Sequence, residues 1–483
     1  MILKSRELIL NKITNFTQNM KKNLSWELLD TCMTTEIRRL RRFLESPYFN
    51  KRADLVQLFD VLLKYRIKEI VPTKEEVWTI IFPETPFDNQ EMRLLLSYFL
   101  KTQEQFLIVE KMMSNDLEQH ANLLSAYREK NLNRHFQKAL NRSEKALAKQ
   151  TFRHPEYHFA NFKLEQEKLL FQAKSGRTRA LNVQNLEDNL DHAFLSMKLR
   201  QACTSLSHQA VFNAQYRITL MEEILEKAQQ PEFRDVPAIS VYYHCYLALF
   251  EANNEQHFQN FKQVLFKNTG HFPTEEMRSL YLLVINFCIK KINANQHEYL
   301  REALDLYKKG LEEVVLLEKE KLSRFSYNNI VGISLRLGDL KWASWFVETY
   351  KNNLDASYRD VTYSLSAARL AFELKDFDKA LSRLQTADYN DLINSMVAKV
   401  LLLKIYYKTN ETDLLYSHLK TMKMFIQRNK KMGYHYENWS NIVRYTQRLM
   451  ELNFFDKKAI QDLRCLIEKE EILTEKRWLL SQL

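Results

Sequence analysis

Residues 361–384, VTYSLSAARLAFELKDFDKALSRL, decide the fold. Val361, Leu365, Ala368 and Phe372 recur at the three- and four-residue spacing of one helical stripe, and Phe377, Ala380, Leu381 and Leu384 form a second. Only Lys375-Asp376 lies between them, room for no more than a tight turn, so the two helices are expected as antiparallel neighbours. The same layout appears one unit earlier around Leu337-Gly338-Asp339-Leu340 and one unit later around Thr409-Asn410-Glu411. Asp339, Asp376 and Glu411 are 37 and 35 residues apart, the period of a helix-turn-helix repeat.

Ala368 and Ala380 fall where two helices of such a unit cross closely, with Leu374 and Phe377 flanking the turn. In the preceding unit Tyr327, Ile330, Leu337, Gly338, Asp339 and Ala343 fit, with Val331 where a small residue is expected. The pattern resembles the tetratricopeptide repeat, strongly over 323–430 and loosely over 180–320. The following unit carries Leu403 and Leu415 at both small positions, which predicts a splayed hairpin. Upstream, Glu302 to Tyr307 reads like a second helix, and Cys203, Cys245 and Cys288, spaced by 42 and 43 residues, read as equivalent small residues in the first helices of longer units. The resemblance implies an all-α fold, a right-handed superhelix of antiparallel hairpins forming a tetratricopeptide-like solenoid.

Composition agrees with helix throughout. Six glycines and eight prolines in 483 residues leave few positions for strand-joining loops. No glycine cluster exists for a dinucleotide fingerprint or a phosphate-binding loop. The chain is 45% hydrophobic and 12% aromatic, has no Pro/Gly/Ser-rich linker, and is expected to fold throughout. Its five cysteines are far apart and read as buried thiols in a reducing compartment. Lys4, Arg6, Glu7 and Lys12 interrupt the apolar residues of the first segment, which argues against a signal peptide. No uncharged apolar stretch of about 20 residues is available to span a bilayer, so a cytoplasmic protein is expected.

Residues 1–115 form an expected N-terminal helical module ahead of the repeats at 116–483. Glu36 to Glu45 is a helix bearing Arg38, Arg39, Arg41 and Arg42, broken by Ser46-Pro47. Thr73 and Glu76 make a capping box, and Phe82-Pro83-Glu84-Thr85-Pro86-Phe87-Asp88 ends that helix and caps the next. The strings RRLRRFLESPYFNK and IIFPETPFD resemble a bacterial (Bacteroidota-type) family of uncharacterised all-helical repeat proteins, which implies a fold and a cytoplasmic setting but no activity. A weaker likeness is to the winged-helix head of bacterial regulators. Against it, Gln90 to Lys101 offers only Arg93 and Lys101 as strong DNA contacts amid apolar residues, and no strand pair for a wing follows.

Two basic stretches are the candidate binding residues. Arg134, Lys138, Arg142, Lys145 and Lys149 fall within an arc of about 80° opposite Phe136, Leu140 and Leu147, a stripe about 22 Å long on one helix. It is either a solvated outer face or a contact for a phosphate backbone or an acidic protein. In 414–436, Lys420, Lys423, Arg428, Lys430 and Lys431 interleave with Tyr416, Phe425, Tyr434 and Tyr436. That mixture suits a single-stranded nucleic acid, although Leu415, Leu419, Met422 and Ile426 make much of it an ordinary amphipathic helix. His154 and His158 are one turn apart, but Pro155 suits a first helical turn and no third ligand is near, so no metal is expected. No nucleophile set, cofactor motif or small-molecule site is evident. The expectation is a non-enzymatic scaffold or adaptor that binds a protein or peptide. The alternative is a nucleic-acid-associated regulator using 134–149 and 414–436, which the net charge of +11 would favour.

Overall fold

A computed structural model of the chain describes residues 20–174, 181–212, 215–294, 296–385, 391–429 and 434–483. Helix accounts for 77% of the residues, so the fold is all-α, as the glycine scarcity and the apolar periodicity require. The chain divides into two units, Met1–Gln150 with Pro155–Phe194, and Thr151–His154 with Leu195–Leu483.

The first unit contains α1 (Leu24–Thr31), α2 (Thr34–Leu44), α3 (Ala53–Ile67), α4 (Lys74–Ile81), α5 (Asn89–Ser114), α6 (Asp116–Glu129), α7 (Asn133–Lys149), α8 (Pro155–Lys174) and the start of α9 (Val183–Phe212). The expected caps form. Thr73 Oγ1 accepts from Glu76 N at 3.2 Å while Thr73 N donates to Glu76 Oε2 at 2.7 Å, and Asp88 Oδ1 accepts from Gln90 N and Glu91 N. Helices α1 to α5 enclose one core around Leu29, Leu58, Phe59, Leu62 and Phe99. A second core holds Leu124, Phe136, Leu140, Leu147 and Leu164, where Phe136 stacks on Phe171 at 3.9 Å. The break expected near 115 thus falls between two cores of one unit. Helix α5 continues for 26 residues where a winged helix would need strands, and no strand occurs among the described residues of this unit.

The second unit continues with α10 (Met221–Ala228), α11 (Pro237–Phe250), α12 (Glu255–Lys267), α13 (Thr274–Asn293), α14 (Tyr299–Glu312), α15 (Arg324–Arg336), α16 (Leu340–Tyr350), α17 (Arg359–Glu373), α18 (Phe377–Gln385), α19 (Leu392–Lys408), α20 (Thr412–Arg428), α21 (Tyr434–Glu451), α22 (Lys457–Lys469) and α23 (Lys476–Leu480). Pairs α11/α12, α13/α14, α15/α16, α17/α18 and α19/α20 pack as hairpins, and α17 also touches both α15 and α19. Ala368 and Ala380 are fully buried and share one core cluster in the hairpin α17/α18. Val331, Leu403 and Leu415 are likewise buried in their hairpins. Cys245 lies in α11 and Cys288 in α13, both first helices and both fully buried, and Cys203 in α9 is buried as well. Burial pushes the Cys245 and Cys288 thiols well above their ordinary range.

The turns differ from the glycine argument in one respect. Gly338, Lys375 and Asn410 all adopt positive φ, at 73°, 63° and 57°. Each donates its N–H to a carbonyl three residues back, and the next residue donates to one five residues back, as in Asp339 N to Ser334 O, Asp376 N to Ala371 O and Glu411 N to Tyr406 O. This is the Schellman geometry, which satisfies the last carbonyls of the first helix. Glu69 and Asn131 close α3 and α6 in the same way. Scarce glycine therefore does not mean scarce left-handed turns; the helices on either side carry the cost of placing lysine or glutamate there. The strands among the described residues are β1 (Leu317–Glu318) and β2 (Lys321–Leu322), joined through Lys319 and Glu320, again both at positive φ.

Candidate functional site

Helix α7 presents the first basic stretch as expected. Phe136, Leu140 and Leu147 are buried, and Arg134, Lys138, Arg142, Lys145 and Lys149 are all exposed. Among the described residues none of the five pairs with a carboxylate, and Glu144 on the same helix is engaged by Lys168 of α8 at 2.8 Å. In the second stretch Lys420, Lys423 and Arg428 are exposed on α20 beside exposed Tyr416, with Leu415, Leu419, Met422 and Ile426 buried beneath. Lys430 and Lys431 lie outside the described residues, as does the side chain of Tyr434. The two histidines do not share a helix. Helix α8 starts at Pro155, which leaves His154 ahead of it, while His158 is buried in α8 and stacks on His192. Among the described residues no group of three His, Cys, Asp or Glu side chains is placed to hold a metal. No described helix is long and apolar enough to cross a membrane.

A third site, which spacing alone did not reveal, lies on the first helices of the last three hairpins. Gly332, Arg369 and Lys404 each stand six residues before the left-handed turn residues Gly338, Lys375 and Asn410, and so occupy equivalent positions on α15, α17 and α19. The Arg369 guanidinium fills the place of a side chain at 332: a Cβ there would sit 3.2 Å from its Nη2. Burial disfavours the charge on Arg369, and the carboxylates of Glu475 and Glu373 oppose that effect. Lys404 is 7% exposed, and its Nζ lies 2.9 Å from Glu475 Oε2 and 4.7 Å from the centre of the Phe372 ring.

Glu475 belongs to the segment that follows α22. Asn441 Nδ2 donates to Ile472 O at 2.8 Å, and Thr474 N donates to Asn438 Oδ1, so α21 directs this segment toward the first helices. Trp478 is buried, and its ring meets Tyr407 of α19 edge-on at 5.5 Å and lies 5.9 Å from Lys404 Nζ. Burial disfavours the charge on Arg336 of α15, and the Arg477 charge adds to that effect. The segment after α22 thus touches α19 through the Glu475 carboxylate and the Trp478 indole. The signal in the sequence was present, because aligning the turns aligns Gly332, Arg369 and Lys404. The tail that answers them is 71 residues away from Lys404, beyond any local pattern. Comparison with protein-family models, with curated proteins and with solved structures finds no match.

Proposed function

We propose that the second unit is a right-handed superhelix of tetratricopeptide-like hairpins and that the protein is a non-enzymatic scaffold or adaptor, binding a protein or peptide partner across the face of its first helices. Support for the solenoid comes from the repeated turn geometry at 338, 375 and 410 and from the contacts of α17 with both neighbouring first helices. Stacked hairpins of this kind offer an extended surface rather than a closed pocket. The single observation that carries the binding reading is the segment after α22, which already lays a carboxylate against Lys404 and an aromatic ring against Tyr407 of one first helix.

Affinity capture from the host, with and without nuclease, tests it. A protein partner retained in stoichiometric amount after nuclease treatment supports the adaptor. Recovery that disappears with nuclease supports a nucleic-acid-associated regulator.

That second reading rests on the five exposed cations of α7, which pair with no carboxylate among the described residues. If they follow a phosphate backbone, affinity falls with salt by roughly 0.7–0.9 in log-log slope for each phosphate neutralised. Changing Lys138, Arg142 and Lys145 to glutamine would then lower the slope by about 2–3. The adaptor reading expects weak nucleic-acid binding and no such change.

A further inference from the structure

We infer that the cavity where α1, α4 and α5 meet in the first unit binds a small phosphate monoester, with Lys22, Lys74 and Arg93 taking the phosphate and Leu24, Leu96 and Leu100 its short carbon chain. All six residues belong to the first unit, so the site stands apart from the adaptor reading of the second.

Arg93, Leu96, Ser97 and Leu100 recur at helical spacing and so share one face of α5. Lys22, just ahead of α1, and Lys74, the first residue of α4, complete the basic lining of a cavity of about 270 Å³. No acidic residue lines it. Among the described residues none of the three cations pairs with a carboxylate, and nearby Glu76 is committed to the N–H of Thr73. By contrast, Arg39 of the same unit engages Glu110 and Arg128 engages Glu167, both at 2.7 Å. Burial and then the Arg93 charge pull Lys74 below its ordinary value, as befits an ammonium beside a second cation with no counter-charge.

Hydrogen bonds behind the lining fix its shape. Ser25 Oγ donates to Leu96 O at 3.0 Å, Gln103 Nε2 donates to Ser25 O at 3.2 Å, and Met20 N donates to Pro72 O at 3.1 Å. They tie the start of α1 to α5 and to the segment that leads into α4, so the three cations are brought together by the fold itself. A phosphate monoester carries a charge of about −1.5 to −2 at neutral pH and three terminal oxygens. The guanidinium fork matches two of those oxygens, and the two ammonium groups act as point charges on the rest. A carboxylate, with one charge, would leave most of this lining unanswered. The volume lies just below the ~300–1,000 Å³ of drug-sized ligand sites, which suits a phosphate on a few carbon atoms against the leucine wall.

The test is isothermal titration of propyl phosphate and of inorganic phosphate into the full chain at constant ionic strength. Propyl phosphate is expected to bind saturably, and roughly three-fold or more tighter than inorganic phosphate, because only the ester reaches the leucines. Lys74→Gln/Arg93→Gln is expected to weaken it by roughly ten-fold or more, through loss of two charge-assisted partners. Lys138→Gln/Arg142→Gln/Lys145→Gln, which removes charge from α7 instead, is expected to keep parental affinity. Circular dichroism checks that the cavity variant is folded; if it is not, Arg93→Gln alone, at an exposed position of α5, takes its place. Absence of saturable binding, parental affinity in the folded cavity variant, an equal loss in the α7 variant, or inorganic phosphate binding as tightly as the ester overturns the inference. Vesicles of phosphatidylcholine and phosphatidic acid are expected to leave the chain in solution. Sedimentation with them that the cavity variant abolishes would assign the site to a lipid headgroup and overturn the free ester.

Discussion

Lys404 Nζ and Glu475 Oε2 lie 2.9 Å apart, joining the last repeat-like hairpin to a tail segment 71 residues further along the chain. The lysine is nearly buried and the glutamate side chain about one-third exposed. Removing the carboxylate strands a buried cation, whereas replacing the lysine by an apolar residue of similar length removes the charge with it. Glu475→Gln is therefore expected to cost about 1–2 kcal/mol, a charge-assisted hydrogen bond reduced for solvent exposure. Lys404→Met is expected to cost less. Denaturant midpoints of the two variants check the order, and a larger loss for Lys404→Met would contradict it.

Ala380 of α18 is fully buried in the same core cluster as Ala368 of α17. Ala380→Leu is expected to overpack that core and cost roughly 1–3 kcal/mol. An unchanged urea midpoint would mean that the two helices can part without penalty.

Lys375 holds a left-handed conformation at the turn between α17 and α18. Glycine there relieves steric strain of roughly 1–2 kcal/mol and returns about half of it as unfolded-chain entropy. Lys375→Gly is thus expected to be neutral or mildly stabilising, and Lys375→Val, with its branched β-carbon, to destabilise by at least about 1 kcal/mol. Thermal melts of both variants check the pair, and equal melting temperatures would contradict the assigned turn.

His418 of α20 is half-buried, and its Nε2 lies 2.8 Å from the carbonyl of Lys399, to which it donates in the neutral ring. Burial pulls its pKa below the ordinary histidine value, the hydrogen bond to Lys399 O opposes this, and the Lys399 charge adds to the lowering. Its contribution is therefore complete above the unfolded pKa of about 6.5 and is lost as pH falls through that value toward the lower folded one. His418→Gln is expected to show a smaller fall in stability between neutral and mildly acidic pH than the parent. Chemical denaturation across that range measures it, and identical slopes would remove His418 from the account.

Local signals were legible in the sequence, and distant ones were not. Thr73, Glu76 and Asp88 act within three residues of themselves, so their caps could be read directly and they formed as read. Asp339, Asp376 and Glu411 each follow a left-handed turn residue between paired helices, and Ala368 and Ala380 are buried as their place in the apolar stripes predicts. Lys375 in a left-handed turn was hidden because residue type argues against it. The basic stripe of α7 was visible as a face, since helical geometry alone places its five side chains together. The Arg369, Lys404 and Glu475 site was not, because it needs three helices in register and a tail returning to meet them.

On the adaptor reading a protein partner binds on the first helices rather than along the basic stripe. Isothermal titration of the purified captured partner into three chains tests it most directly: the parent, an Arg369→Gln/Lys404→Gln chain and a Lys138→Gln/Arg142→Gln/Lys145→Gln chain. The expected result is a loss of roughly ten-fold or more in affinity, about 1.4 kcal/mol, for the first-helix variant and parental affinity for the stripe variant. Parental affinity in the first-helix variant, with loss in the stripe variant, would contradict the claim.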